Sequence, residues 1–140
     1  MKLVFDILAA VFVLSMLIMF GCAEREQAPL ERFPDSFVHK PPRPGYPGEF
    51  EVAKDSKLYL LVRQAIFNNP KGWVRQSTVN TPDYALVSEQ MTVNIRGKFI
   101  EIVYTNEAGE PVVLSRKMKR RSREIREEIQ RIGRAHYPSW

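Results

Sequence analysis

Side chains that could carry chemistry are few in this chain and far apart. Cys22 is the single cysteine of the 140 residues and sits in "MLIMFGCAER", where an apolar run stops and charge begins. There are two histidines, His39 in a proline-rich stretch and His136 in the closing "AHYPSW". Neither has a second His, Cys or carboxylate at metal-ligand spacing, so no zinc site is expected. A Ser-His-Asp group would have to draw its histidine from an irregular segment. The seven glycines form no phosphate-cradling loop. Glu89 and Glu101 could converge as a carboxylate pair, but carboxylates on a polar sheet face are ordinarily just solvated. No catalytic constellation, metal site or cofactor is expected.

One charged segment stands out. "SRKMKRRSR", Ser115 to Arg123, carries Arg116, Lys117, Lys119, Arg120, Arg121 and Arg123. Nine basic and three acidic residues lie between Arg116 and Arg134, while the whole chain carries only +5. The rest is therefore close to neutral. Glu124, Glu127 and Glu128 can pair with arginines at helical spacing, which would make the segment a solvated helix face. The alternative is a patch for anionic surfaces, where each cation contributes about 1 kcal/mol near an acidic bilayer.

The elements that position these groups begin with the apolar run. Met1-Lys2 is a short positive start, and Ile7 to Phe20 are fourteen residues, apolar except for Ser15. A bilayer crossing needs about 20 apolar residues, so fourteen fits a secretory signal better. Gly21 supplies the small residue a signal peptidase requires before its cut. Gly21-Cys22 resembles the end of the lipobox of bacterial lipoproteins, with Met19 in the place of the usual Leu and Phe20 where a small residue is common. The resemblance implies diacylglycerol on the Cys22 thiol, removal of residues 1–21, and a Gram-negative envelope location facing the periplasm. Ala23, where Asp would retain such a protein in the inner membrane, implies the outer membrane. An uncleaved anchor helix over Leu3 to Ala23 is the competing reading.

Residues 22–54 hold six of the ten prolines, as in "KPPRPGYPGEF". No helical or strand period is present, so the sequence predicts a tether, about 100 Å long as polyproline and about 30 Å as a coil. "PPRP" could alternatively be a ligand for an aromatic groove.

Residues 55–134 are expected to form one small α+β domain, with 135–140 as a tail. "DSKLYLLVRQAIFNNP" reads as a helix capped by Asp55 or Ser56, with Leu58, Leu61, Val62, Ala65 and Ile66 in one stripe. It stops near Asn68 because of Pro70. "MTVNIRGKFIEIVY" reads as a hairpin turning at Gly97-Lys98. That register puts Met91, Val93, Ile95, Ile100, Ile102 and Tyr104 on one face and Thr92, Asn94, Arg96 and Glu101 on the other. "VVLS" follows as an edge strand blunted by Pro111. In the last helix Ser122 is the expected cap, Ile125, Ile129 and Ile132 the stripe, and Gly133 the left-handed stop. The expected order is α-β-β-β-β-α, an antiparallel meander of three to four strands with both helices on one face. Ala65-Ile66, Gly72-Trp73, Val93-x-Ile95 and Ile102-x-Tyr104 are similar to the pattern of a family of small Gram-negative lipoproteins of unassigned function. That likeness implies a fold rather than an activity.

The sequence thus points to a membrane-anchored lipoprotein with a non-catalytic binding or scaffolding role. Its partners would be the membrane, through the Cys22 lipid, and anionic lipid, lipopolysaccharide or an acidic protein face, through the basic segment. Two alternatives stay open: an envelope hydrolase or transferase on the open sheet face, and a nucleic-acid binder on an uncleaved anchor. Export argues against nucleic acid as a partner. Oligomeric state is not legible.

Overall fold

A computed structural model describes residues 4, 6–9, 25–42 and 47–136. Its elements are β1 (Arg25–Glu26), a 3-10 turn (Leu30–Arg32), β2 (Phe37–Lys40), β3 (Phe50–Val52), α1 (Lys57–Phe67), β4 (Trp73–Gln76), β5 (Tyr84–Val87), β6 (Thr92–Arg96), β7 (Phe99–Thr105), β8 (Pro111–Lys117) and α2 (Lys119–His136). The class is α+β. The sheet has eight strands in the order β1-β4-β8-β7-β6-β5-β2-β3, where three or four were expected. Every neighbouring pair is antiparallel.

The hairpin at its centre follows from side-chain alternation. Ile95 pairs with Ile100 and Val93 with Ile102, as the sequence register requires. Gly97 takes φ +55°, and Lys98 is not among the positive-φ residues, which suits a turn whose first position alone needs glycine. Val93, Ile95, Ile100, Ile102 and Leu114 are shut off from solvent beneath the helices. α1 is capped as expected, Ser56 Oγ accepting from Tyr59 N at 3.3 Å. It buries Leu58, Val62, Ala65 and Ile66. Trp73 is fully buried, and its indole N–H donates to the Asn69 carbonyl at 2.7 Å.

Four expectations are corrected. Much of the stretch read as a tether, 22–54, is folded: β1, β2 and β3 lie in it, and Phe37 and Val52 are in the core. The Ala28 N–H donates to the Pro70 carbonyl at 2.7 Å, and the Tyr59 hydroxyl to the Pro34 carbonyl at 2.8 Å. Phe33 stands edge-on to Phe37, Tyr59 and Phe67, with centroids 5.3–5.5 Å apart. Pro29, Pro34, Pro41, Pro42 and Pro47 lie in the connections between very short elements, which is why no period shows. Second, β8 is not an edge, because β4 pairs along its far side. Pro111 is tolerated as the first residue of the strand, where a missing N–H costs least. Third, α2 starts at Lys119, so Ser122 is not its cap; its hydroxyl donates to the Gly97 carbonyl. Fourth, Gly133 lies inside α2, which runs on to His136, so the helix extends past the expected boundary at 134. A Cβ at Gly133 would stand 2.5 Å from Pro47 Cβ, so the glycine is there for close packing.

Residues 77–83 explain a further difference. β4 and β5 flank β8, β7 and β6, four strand spacings or about 19 Å apart. The connection therefore crosses a face of the sheet. Asn80 Nδ2 donates to Glu101 Oε1 at 3.2 Å, which places the crossing on the face opposite the helices. That face, expected to be open and solvated, is covered at its middle: Glu101 is 0%, Asn94 3% and Ser115 4% exposed.

Candidate functional site

Cys22 and Gly21 lie outside the described residues. Among the described residues no helix is long and apolar enough to cross a membrane. No group of three or more His, Cys, Asp and Glu there is placed to hold a metal ion. His39 is on β2, not in a tether. It is fully buried and stacked on Phe50 at 4.6 Å. Its Nδ1–H donates to the Gly48 carbonyl at 3.2 Å, while Nε2 has no partner among the described residues. Burial holds its pKa below the ordinary 6.5, against the opposing pull of the Gly48 carbonyl. His136, at the end of α2, faces the same Phe50 ring at 6.4 Å.

The two glutamates considered as a pair occupy different places. Glu89 is exposed in the turn between β5 and β6, lining a cavity of about 530 Å³ with Arg32 and Tyr104. Glu101 is buried under residues 77–83, 3.6 Å from Arg96 Nη2. Its Oε2 and the Nε of Arg96 are buried with no partner among the described residues. This polar knot escaped the sequence reading because nothing local signals that an earlier loop crosses the strand.

The six basic residues are all described, and the structure divides them. Arg116 turns to the β4 side, where its guanidinium donates to the Lys71 carbonyl. Lys117 pairs in register with Phe99, one residue out of phase with Arg116 and so on the other face. Lys119, Arg120 and Arg121 form the first turn of α2, which contains no acidic residue. Arg120 and Arg121 both reach forward to Glu124, at 3.6 and 3.0 Å. Lys117, Lys119 and Arg123 are exposed and have no ion-pair partner among the described residues. A helix N-terminus carries about half a positive charge of its own, so cations there are repelled and an external anion is favoured.

This end of the molecule is firmly built. The Met118 N–H donates to the Lys98 carbonyl at 2.8 Å. Ser122 and Arg126 both donate to the Gly97 carbonyl, and the Gly97 N–H donates to Asp83 at 2.8 Å. The hairpin turn is thereby bolted to the start of α2, and the exposed Lys98 joins the cationic surface, an addition that sequence distance hid. Lys71 and Arg25 were likewise missed. They flank Arg116 in a cleft formed by three separate chain segments.

The chain was compared with protein-family models, with curated proteins and with solved structures, and none of them matches it.

Proposed function

We propose that the chain is an exported bacterial lipoprotein, acylated on Cys22 and held in the envelope, whose α+β domain binds or scaffolds through its cationic end. One observation carries the reading. Lys117, Lys119 and Arg123 stand exposed around a helix N-terminus with no carboxylate partner among the described residues. Glu124 is already shared by two arginines, so the surplus charge is met by counterions or by an anionic partner. Phosphate-bearing envelope lipid or an acidic protein face would supply the opposite charge.

Two measurements test this. Intact mass of the protein recovered from membranes should show loss of residues 1–21 and added acyl chains, and Cys22→Ser should retain the precursor mass. Unchanged processing in Cys22→Ser would overturn the anchoring. Neutralising Lys117, Lys119 and Arg123 to Gln should remove most binding to vesicles of acidic phospholipid without shifting the melting temperature, because no ion pair among the described residues is broken. Undiminished binding by this variant would assign the cluster to solvent alone.

A further inference from the structure

A second cationic feature lies where the anchored chain would leave the membrane. Arg25 opens β1, only three residues after Cys22. Three residues span at most about 11 Å. If Cys22 carries a lipid, the β1 edge of the sheet is therefore held at headgroup depth. Beside that edge is a cleft of about 510 Å³ lined by Arg25, Glu26, Gln27, Lys71, Gly72 and Arg116.

Its charge is unbalanced. Glu26 is committed to Arg75 at 3.1 Å. No acidic partner is described for Arg25, Lys71 or Arg116. The Arg116 guanidinium sits beside the Lys71 carbonyl and over Gly72. Gly72 has φ +84°, and a Cβ there would stand 2.9 Å from Arg116 Nη1, so the turn leaves the guanidinium its space. Two planar guanidinium forks and one ammonium make a donor set suited to phosphate oxygens.

We infer that this cleft binds the phosphate of a phospholipid headgroup in the leaflet that anchors Cys22, seating the domain on its β1–β4 edge. The inference rests on the proposed acylation. Anchoring makes the contact intramolecular, with an effective concentration in the millimolar range, so a weak site is enough. The occupant is lipid phosphate rather than free phosphate, because the tether is too short to move the cleft away from the bilayer surface.

The test uses the full protein recovered from membranes, its acylation read first by intact mass. It is reconstituted in phosphatidylglycerol vesicles and, separately, in galactolipid vesicles, which present no phosphate. The readout is the rate of amine labelling at Lys71, with Lys54, beyond the opposite edge strand β3, as internal reference. Steric shielding by a bilayer is common to both vesicles, so the difference between them reports phosphate. An effective concentration about ten times the dissociation constant should slow Lys71 labelling about tenfold in phosphatidylglycerol. Arg25→Gln, an exposed substitution, should abolish most of that slowing. Equal rates in the two vesicles overturn the cleft as a phosphate site. Protection produced by millimolar inorganic phosphate in galactolipid vesicles, and not by phosphatidylglycerol, overturns the lipid assignment in favour of a free anion. An intact mass without acyl chains overturns the tethered geometry, and the labelling ratio of that same sample then decides the cleft by itself.

Discussion

Asn94 and Glu101 face each other across β6 and β7, both nearly closed to solvent. One guanidinium, Arg96, serves the single carboxylate. Asn94→Asp would put a second carboxylate beside it, and two buried acids sharing one cation should cost about 2 kcal/mol or more. Glu101→Gln keeps an oxygen for Asn80 and removes an incompletely paired buried charge, so it should shift stability by less than about 1 kcal/mol. Urea unfolding of both variants checks the contrast; equal midpoints would mean the crossing segment does not cover this pair. His39 yields a pH dependence. Its folded pKa lies below its unfolded value of 6.5, so the unfolded chain takes up the proton first. The associated stability is complete above pH 6.5 and is lost as pH falls through the depressed folded pKa. Glu128, held below its ordinary 4.5 chiefly by the hydrogen bond from Arg131, acts in a lower window, its stability lost as pH falls below that value. The melting temperature should therefore begin to drop below pH 6.5, and His39→Phe should flatten that first decline. A decline unchanged in His39→Phe would assign it to other groups.

At the scale of elements, what was legible in the sequence was what repeats within a few residues. The α1 stripe, its Ser56 cap and the β6–β7 register needed only near neighbours, and the structure has all three. β1, β2 and β3 are two, four and three residues long, too short to show an alternation. β1 and β2 exist because a distant strand is present to pair with, β4 and β5 respectively, and β3 adds on to β2. The cationic surface was legible along β8 and α2, where the residues are consecutive, but not at Lys98, Lys71 or Arg25. Gly133 illustrates the same limit. A glycine near the end of a periodic stripe looks like a stop, whereas here α2 passes through it and the missing Cβ makes room for Pro47. Alanine ordinarily improves a helix interior by about 1 kcal/mol over glycine. At this position the contact with Pro47 should reverse the sign, and Gly133→Ala should lower stability by about 1–3 kcal/mol in thermal or urea unfolding. A stabilised variant would show that Pro47 yields freely.

For the molecule as a whole, β1, β2 and β3 take into the sheet much of what would otherwise be a long leash, so an anchor at Cys22, acylated as proposed, would lie close to the domain. A domain on a flexible tether would sample a wide shell above the membrane. With only Ala23 and Glu24 between Cys22 and β1, the proposed acylation would restrict orientation and keep the domain near the surface that carries the lipid. Binding through the exposed cations should then depend on salt at constant lipid composition, weakening as the screening length falls from about 10 Å at 0.1 M to about 3 Å at 1 M. Co-sedimentation at the two salt levels measures this, and a flat response would mean that the contact is not electrostatic.

The path of residues 77–83 also sets an order in time. The face they cross does not exist until β6, β7 and β8 have come together, so the crossing and its bond from Asn80 to Glu101 close late. The β6–β7 hairpin and the turns on either side need only short loops and can form early. β4 must then find β8, with Val74 pairing with Ser115, and β1 must find β4. Contacts this distant along the chain belong to sheets that fold in milliseconds to seconds rather than microseconds. During that interval the long stretch ahead of β4 is still searching for its partners, and the unpaired edges of β4 and β5 are exposed to other chains. Short strands at both rims of the finished sheet limit how long that exposure matters: once β1 and β3 are in place, little edge remains for a second chain to extend.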